Sequence, residues 1–566
     1  MDDNYKSFVH SFLKSELIWI CFQLSRKNVT SLNYIQQRFQ STLSFLKQII
    51  TNYPTTNEEN NHSDWNRYLQ LFFTVIAFTR DSLHGLGEHD LTYMLIFSFY
   101  DVFPELSVQS IHYILHPLTN DLTNVNIGSW RDTKYLCKYV YEMTFQTDHP
   151  IITYCISLMN RQLHTDLQTW KFSSNPYSKY HISNIAKHIP REKSRFGWLF
   201  DKLAIHWVTT HKPYILQTPT SLFSNKRAIS KSKSIYRKII SYLNKALHTP
   251  QISFCKKKSI DIQDLTIHTY IKNQHIIHHN ELYSTLSHDF IQNIKTNPDQ
   301  HFFYYSGCHY SQVPIEHIIK KSIYLYKNKS VNASEESLLN NLWNLYFVKK
   351  YNVTPSLIPI IDVSNTINSD SFYAALGNAI LLSSISSFEN RLIAVDKFPT
   401  WIQFQPDQTI VQKVHHFMSS IYNMSNTFSN FTNVFSLLST TIQQTTSQLQ
   451  NNDQFAPLHQ PIKFVLISQF QKNNLEDTYL SFTQSFPSSS VTVPTHLIMW
   501  NFSHDHIIEL NNFFELNNVT FISGFSPNAI YSLINHQEKD SHYDYLLHVL
   551  SNNRYKLFSA FVKNNL

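Results

Sequence analysis

The sequence predicts two fold classes in one chain: an α-helical repeat module over residues 1–339, then a doubly wound, mostly parallel α/β domain over residues 340–566. Three observations predict it. In the first part apolar residues recur at spacings of three and four, as in "DWNRYLQLFFTVIAFTRD" and "DLTYMLIFSFYDVFPEL", the period of helices that bury one face. After about Asn340 short apolar runs alternate with helix-length polar segments, which is the order of a parallel sheet covered on both sides. Charge divides at the same place: residues 340–566 hold 11 Lys and Arg against 14 Asp and Glu, whereas residues 1–339 hold 36 against 26.

The elements follow in order. The start, "MDDNYKSFVHSFLKSELIWICFQL", begins acidic and interrupts its apolar residues with Lys14 and Glu16, so it reads as an amphipathic helix and not as a signal peptide. Breaks near Pro104, Pro117, Pro150 and Pro190 separate further helices, a series that fits a HEAT-like solenoid or ring although no strict period is present. In the second part the strands are "SLIPIIDV", "RLIAVDKF", "KFVLISQF", "THLIMWNF" and "VTFISGF". Between them lie the amphipathic stretches Ser371 to Phe388, Thr409 to Tyr422, Thr432 to Gln450 and Asp505 to Leu516. No uncharged apolar run reaches the roughly 18 residues of a membrane span, so no membrane partner is expected. Five scattered cysteines without a Cys-x-x-Cys pair argue against a disulfide framework or a thiolate zinc site. A reducing, cytoplasmic location is the expectation. The histidine-rich "HIIHHN" and "HDH" follow a composition skewed toward Asn, Ser, Ile, Tyr, Phe and His, and read as surface residues.

The sharpest charge feature runs from Lys202 to Ile260, where twelve Lys or Arg occur without one acidic residue. Such a stretch has no local acids to neutralise it, so a polyanion is a natural partner. Lys226, Arg227, Lys231, Lys233, Arg237 and Lys238, with Lys256, Lys257 and Lys258, are the candidate phosphate contacts, and Arg191, Lys193 and Arg195 of "PREKSR" form a secondary patch. Tyr236, Tyr242 and Phe254 lie among these cations and are candidates for stacking on exposed bases. The competing reading is a solvated basic face.

Several motifs carry a family resemblance. "FTRDSLHGLGEHDLTYML", "NIGSWRDTKYL", "HIPREKSRFG" and "QVPIEHII", followed by "IPIIDVSNT", "FYAALGNAI", "FPTW", "SNFTNVFSLL", "KFVLISQF", "MWNF" and "FISGFS", resemble the successive motifs of an uncharacterised family. Its members pair a TROVE-like helical module with a von Willebrand factor A-like domain. They are similar in plan to the Ro autoantigen, a helical ring closed by such a domain that binds small noncoding and misfolded RNAs. The resemblance implies RNA binding by analogy of architecture.

It also implies an adhesion-type metal site at the end of the first strand. The family pattern of Asp-x-Ser-x-Ser, a Thr on a second loop and an Asp on a third maps onto Asp362, Ser364 and Thr366, then Ser429, then Gln469. Gln469 stands where the second carboxylate belongs, so Asp362 is the one anionic group, and a degenerate, weak or empty Mg²⁺ site is expected. The alternative is that Asp362 and Ser364 hydrogen-bond the loop and cap the next helix.

No hydrolase elbow or phosphate-binding loop is present: "SGFS" lacks the Gly-x-Ser-x-Gly pattern and "GLGEHD" lacks the Lys and Ser/Thr. Asp81 and Glu88, with His84 and His89, suit ion pairing at a helix junction better than acid–base work. The expected function is therefore a non-enzymatic RNA-binding protein. The alternative is a protein-interaction scaffold or an assembly protein, such as a large DNA virus would use.

Overall fold

The computed structural model describes residues 3–25, 28–53, 64–82, 84–115, 126–172, 182–216, 222–250, 253–254, 260, 285–286, 289–290, 292–293, 314–328, 333–344, 355–363, 369–396, 398–421, 431–450, 462–470, 472–487, 495–503, 518–528 and 542–565. The chain forms two compact units, one of residues 1–91 with 313–566 and one of residues 92–312. The boundary expected at 339/340 falls inside the first unit, because both ends of the chain contribute to it.

Three helices open the chain, α1 (Asp3–Gln23), α2 (Val29–Asn52) and α3 (Asp64–Arg80). The start is the amphipathic helix its pattern predicts, with Val9, Leu13, Leu17 and Ile20 buried at i, i+4 and i+7/8 spacing. Its interrupting Glu16 is buried too, and Arg38 of α2 grips it there with Nε donating to Oε2 (3.0 Å) and Nη2 to Oε1 (2.6 Å).

Then come α4 (Asp90–Val102), α5 (Pro104–Leu115), α6 (Trp130–Thr144), α7 (Pro150–Phe172), the single turn α8 (Ile185–His188), α9 (Gly197–His211) and α10 (Leu222–Ala246). From Thr92 onward these belong to the second unit. Asn160 of α7 ties three of them together: its Nδ2 donates to the Leu203 carbonyl of α9 (2.9 Å) and its Oδ1 accepts from the Tyr236 hydroxyl of α10 (2.8 Å). The "NIGSWRDT" motif is a helix start, where Asp132 Oδ2 accepts from the Ser129 amide (2.7 Å) and Oδ1 from the Tyr93 hydroxyl (2.7 Å).

Two helices, α11 (Ile315–Asn328) and α12 (Ala333–Asn344), precede the sheet and pack on its unit. The remaining elements are β1 (Leu357–Asp362), α13 (Asp370–Ile385), β2 (Arg391–Val395), β3 (Pro399–Gln403), α14 (Ile410–Ser420), α15 (Phe431–Gln450), β4 (Ile462–Ser468), α16 (Lys472–Ser485), β5 (Thr495–Asn501), β6 (Val519–Ser523), α17 (His542–Leu550) and α18 (Lys556–Asn565). The sheet has six strands in the order β3-β2-β1-β4-β5-β6, parallel throughout except for β3, which pairs antiparallel with β2 at the edge. All five strands read from the sequence are present, and β3 is an addition. The helix expected over Asp505 to Leu516 lies outside the described residues. On one face Phe435 of α15 and Phe482 of α16 close over Ile360, Phe464, Leu466 and Met499. On the other, α13 packs against β1 and β2 and is itself covered by α11. There a Cβ on Gly377 would lie 2.7 Å from Ile315 Cγ1, so the helices meet closely only because that side chain is missing.

The N-terminal helices join this layered unit through specific contacts. Phe22 of α1 packs edge-on against Phe521 of β6 (5.4 Å), and the Ser523 hydroxyl donates to the Cys21 carbonyl (2.8 Å). The loop after α3 forms a clasp. Asp81 is fully buried and its carboxylate receives Arg554 Nε (2.8 Å), Arg554 Nη2 (3.1 Å) and the Tyr555 hydroxyl (3.2 Å). Its carbonyl accepts from the amides of Gly85 and Gly87, a tight return in which a Cβ on Gly85 would lie 2.0 Å from the Phe78 carbonyl oxygen. Asn528, beyond β6, donates to the Ser82 and Gly85 carbonyls (3.1 and 3.2 Å). For Asp81, the ion pair at a helix junction is what the structure contains.

Candidate functional site

The two regions singled out by the sequence fall in different units. In the α/β unit, the strand order changes direction between β1 and β4, and ligands of doubly wound sheets collect beyond the carboxyl ends of strands at such a point. Asp362 ends β1, Ser468 ends β4, Asn501 ends β5 and Ser523 ends β6. The register pairs Ser468 with Asn501 and Asn501 with Ser523, while Ile361 beside Ile467 sets Asp362 opposite Ser468. Side chains in register share a face, so these four residues form a polar row at the edge of the face that α15 and α16 cover.

Within the row the Ser468 hydroxyl donates to Asp362 Oδ2 (2.6 Å). Asn501 is fully buried; its Oδ1 accepts from the Ser503 amide (2.8 Å), whereas its Nδ2 has no hydrogen-bond partner among the described residues. Gln469, half-buried, follows Ser468, and Asp396, buried, follows β2. Ser364, Thr366 and Ser429 lie outside the described residues. Mg²⁺ demands an octahedral set of oxygens and one or two carboxylates. The row offers one carboxylate, already engaged by a hydroxyl, with a buried amide donor beside it. Among the described residues no group of three or more His, Cys, Asp or Glu is placed to hold a metal. These described residues do not make an Mg²⁺ centre by themselves. Ser468 and Asn501 were not singled out in the sequence, where each is only the last polar residue of an apolar run; counting strand residues to the carboxyl end is the signal that finds them.

In the helical unit, α10 carries most of the candidate phosphate contacts, and it sorts them onto different faces. Lys233 Nζ lies 2.8 Å from Asp201 Oδ2 and 3.5 Å from Glu192 Oε1, and Arg237 Nη1 lies 2.6 Å from Glu192 Oε2. The hydrogen bond to Asp201 raises the Lys233 ammonium above its ordinary pKa. Lys202, at the start of the acid-free stretch, pairs with Asp148. These three cations are thus met by carboxylates from outside the stretch, which a count along the chain does not register.

Arg227, Lys231, Lys238 and Lys245 behave differently. At 100° per residue they fall on one side of the helix, all four are exposed, and none has a carboxylate partner among the described residues. From Arg227 to Lys245 this stripe runs about 27 Å at 1.5 Å per residue. Lys226 is also exposed. Lys256, Lys257 and Lys258 lie outside the described residues.

The aromatic expectations need correction. Tyr236 is fully buried, its hydroxyl spent on Asn160 and its pKa raised by burial, and Phe254 is 6% exposed; neither ring is available to a base. Tyr242 is 44% exposed on the same side as the cationic stripe. For Tyr236 the physical reason is the helical period: Ser232, Tyr236 and Leu243 share the inward face, although Ser232 and Tyr236 have cations beside them in sequence.

Arg191, Lys193 and Arg195 are all exposed in the turn before α9. Arg195 meets a group from α6 that the sequence offered only as a fold motif: Tyr135, with Arg131 and Lys134 beside it. Among the described residues no helix is long and apolar enough to cross a membrane. Comparison with the models of known protein families finds no match, and neither does comparison with curated protein sequences.

Proposed function

We propose that the protein is a non-enzymatic RNA-binding protein of TROVE-like and von Willebrand factor A-like plan, in which the exposed face of α10 runs along the phosphate backbone of a single strand. The observation that carries this reading is the stripe of Arg227, Lys231, Lys238 and Lys245, with Tyr242 among them. Cations in single file, spaced along one helix face and without carboxylate partners among the described residues, suit a repeating monoanion, and an exposed aromatic ring among them suits an unstacked base. The von Willebrand factor A-like part of the reading is supported by the 3-2-1-4-5-6 strand order with its antiparallel edge and by Asp362 at the end of β1.

Fluorescence anisotropy with a single-stranded RNA tests the proposal. Each phosphate contact on a single strand contributes about 0.7 to the slope of log affinity against log salt, so the four cations predict a slope of roughly −3. Charge reversal at Arg227, Lys231 and Lys238 should weaken binding by at least a hundredfold at low salt; unchanged affinity would remove α10 as the site. A second reading, a protein-interaction scaffold, is favoured by one observation, the Asn501 Nδ2 at the polar row, which has no hydrogen-bond partner among the described residues. It predicts partners that survive nuclease treatment in a pull-down.

A further inference from the structure

Around Tyr135 the helical unit gathers positive charge in a second and different pattern. The Arg131 guanidinium lies 5.0 Å from the Tyr135 ring centroid, the Lys134 ammonium 5.2 Å and the Arg195 guanidinium 5.8 Å. Phe196 stands edge-on to Tyr135 at 5.4 Å, and Lys134 and Arg195 lie 5.2 and 5.0 Å from its centroid. Arg195 Nη2 donates to the Tyr135 hydroxyl oxygen (3.5 Å). Arg131 and Lys134 come from α6 and Arg195 from the turn before α9, so two elements aim at one place.

Neither Arg131 nor Arg195 has a carboxylate partner among the described residues, and Asp132, next in sequence to Arg131, is buried with its oxygens on the Ser129 amide and the Tyr93 hydroxyl. Two neighbouring groups register the positive charge. Burial tends to raise the Tyr135 phenol, but the Arg131 and Arg195 hydrogen bonds and the Lys134 charge outweigh it and lower its pKa. His188 is pushed down to about 4, first by burial and then by Lys134 and Lys187, so it is neutral and adds no charge of its own at pH 7.

We propose that Arg131, Lys134 and Arg195, set around Tyr135 and Phe196, form a site for the terminal phosphate monoester of an RNA strand. The inference rests on the RNA-binding reading and names a feature of the ligand that reading leaves open. The contrast with α10 decides the chemistry: there the cations are strung out one at a time, matching diesters of single charge, whereas here three meet at one pair of rings. A monoester carries about −1.5 to −2 at pH 7 and three acceptor oxygens, which suits two guanidinium forks and an ammonium. The Tyr135 hydroxyl, accepting from Arg195, keeps its own proton to donate to a phosphate oxygen.

The test compares binding of one RNA sequence to the full-length protein with hydroxyl ends, a 5′-phosphate or a 3′-phosphate. One phosphorylated form should bind about tenfold more tightly than the hydroxyl form, the gain expected of added charge-assisted hydrogen bonds. Arg131→Gln, at an exposed position outside the candidate phosphate contacts read from the sequence, should remove most of that difference while leaving the affinity for the hydroxyl-ended strand. Equal binding of all three strands by the wild-type protein would overturn the inference and leave RNA binding standing, a result that does not depend on any variant folding. Absence of binding to every strand would overturn both. A nucleoside monophosphate that binds as tightly as the phosphorylated strand would reassign the site to a free nucleotide, and so overturn the assignment to an RNA end.

Discussion

In the unit built from residues 1–91 and 313–566, Glu16 is gripped by Arg38 and Asp81 by Arg554, and both carboxylates are buried. In the unit of residues 92–312, Arg131, Arg195, Arg227, Lys231, Lys238 and Lys245 are exposed and have no carboxylate partner among the described residues. The first unit spends its charges on holding distant parts of the chain together. The second pairs Lys202, Lys233 and Arg237 with carboxylates but leaves this set to solvent, where charge of one sign acts on partners more than on the fold. On the proposed function, the difference separates residues whose loss unfolds the protein from residues whose loss weakens RNA binding.

The largest effect expected from breaking that division is at Asp81. Asp81→Ala leaves the Arg554 guanidinium, 13% exposed, without its carboxylate, and should cost about 3–5 kcal/mol in denaturant unfolding. Replacing Arg554 by Met in the same background should recover part of the loss. A change below about 1 kcal/mol would mean that the clasp does not hold this unit together.

Smaller is the effect of Asn160→Ala in the helical unit, which strands the buried Tyr236 hydroxyl and the Leu203 carbonyl contact and should cost about 2 kcal/mol. RNA affinity measured on the folded fraction should not change. A loss of affinity larger than the loss of folded protein would return Tyr236 to the binding surface.

The smallest and most graded effect is on pH. His188 in one unit and His496 in the other are each pushed down to about 4, His188 by burial and then Lys134, His496 by burial and then Lys463. A histidine depressed in the fold binds its proton in the unfolded chain first. Its contribution is therefore complete above about 6.5 and is lost progressively as pH falls toward about 4. Thermal melts between pH 7.5 and 5 should show both units weakening, and His188→Gln or His496→Gln should flatten the dependence of its own unit. Melting temperatures that hold constant over that range would contradict these assignments.

Much of the fold was legible because its signals are local. Runs such as "KFVLISQF", alternating with helix-length polar segments, read as strands covered on both faces, and the apolar spacing of the first residues reads as the helix α1. The edge strand β3 was missed because Phe398 and Trp401 stay exposed and leave no apolar run. The partition into units was missed for a different reason: Cys21 meets Ser523 and Asp81 meets Arg554 across more than 470 residues, and no local pattern encodes such a pairing. In the candidate interface the sequence located the helix but not its faces. Tyr236 and Tyr242 look alike as neighbours of lysine and differ only in helical phase, and Glu192 and Asp201 cancel Arg237 and Lys233 from just outside the acid-free stretch.

The most direct measurement sets the two faces of α10 against each other. RNA affinity and thermal stability are determined for Arg227→Glu, Lys231→Glu and Lys238→Glu together, and for Lys233→Gln with Arg237→Gln. The account predicts that the first set loses affinity and keeps its melting temperature, while the second keeps affinity and loses a modest part of its stability. Equal loss of affinity in both sets, or loss in neither, would contradict it.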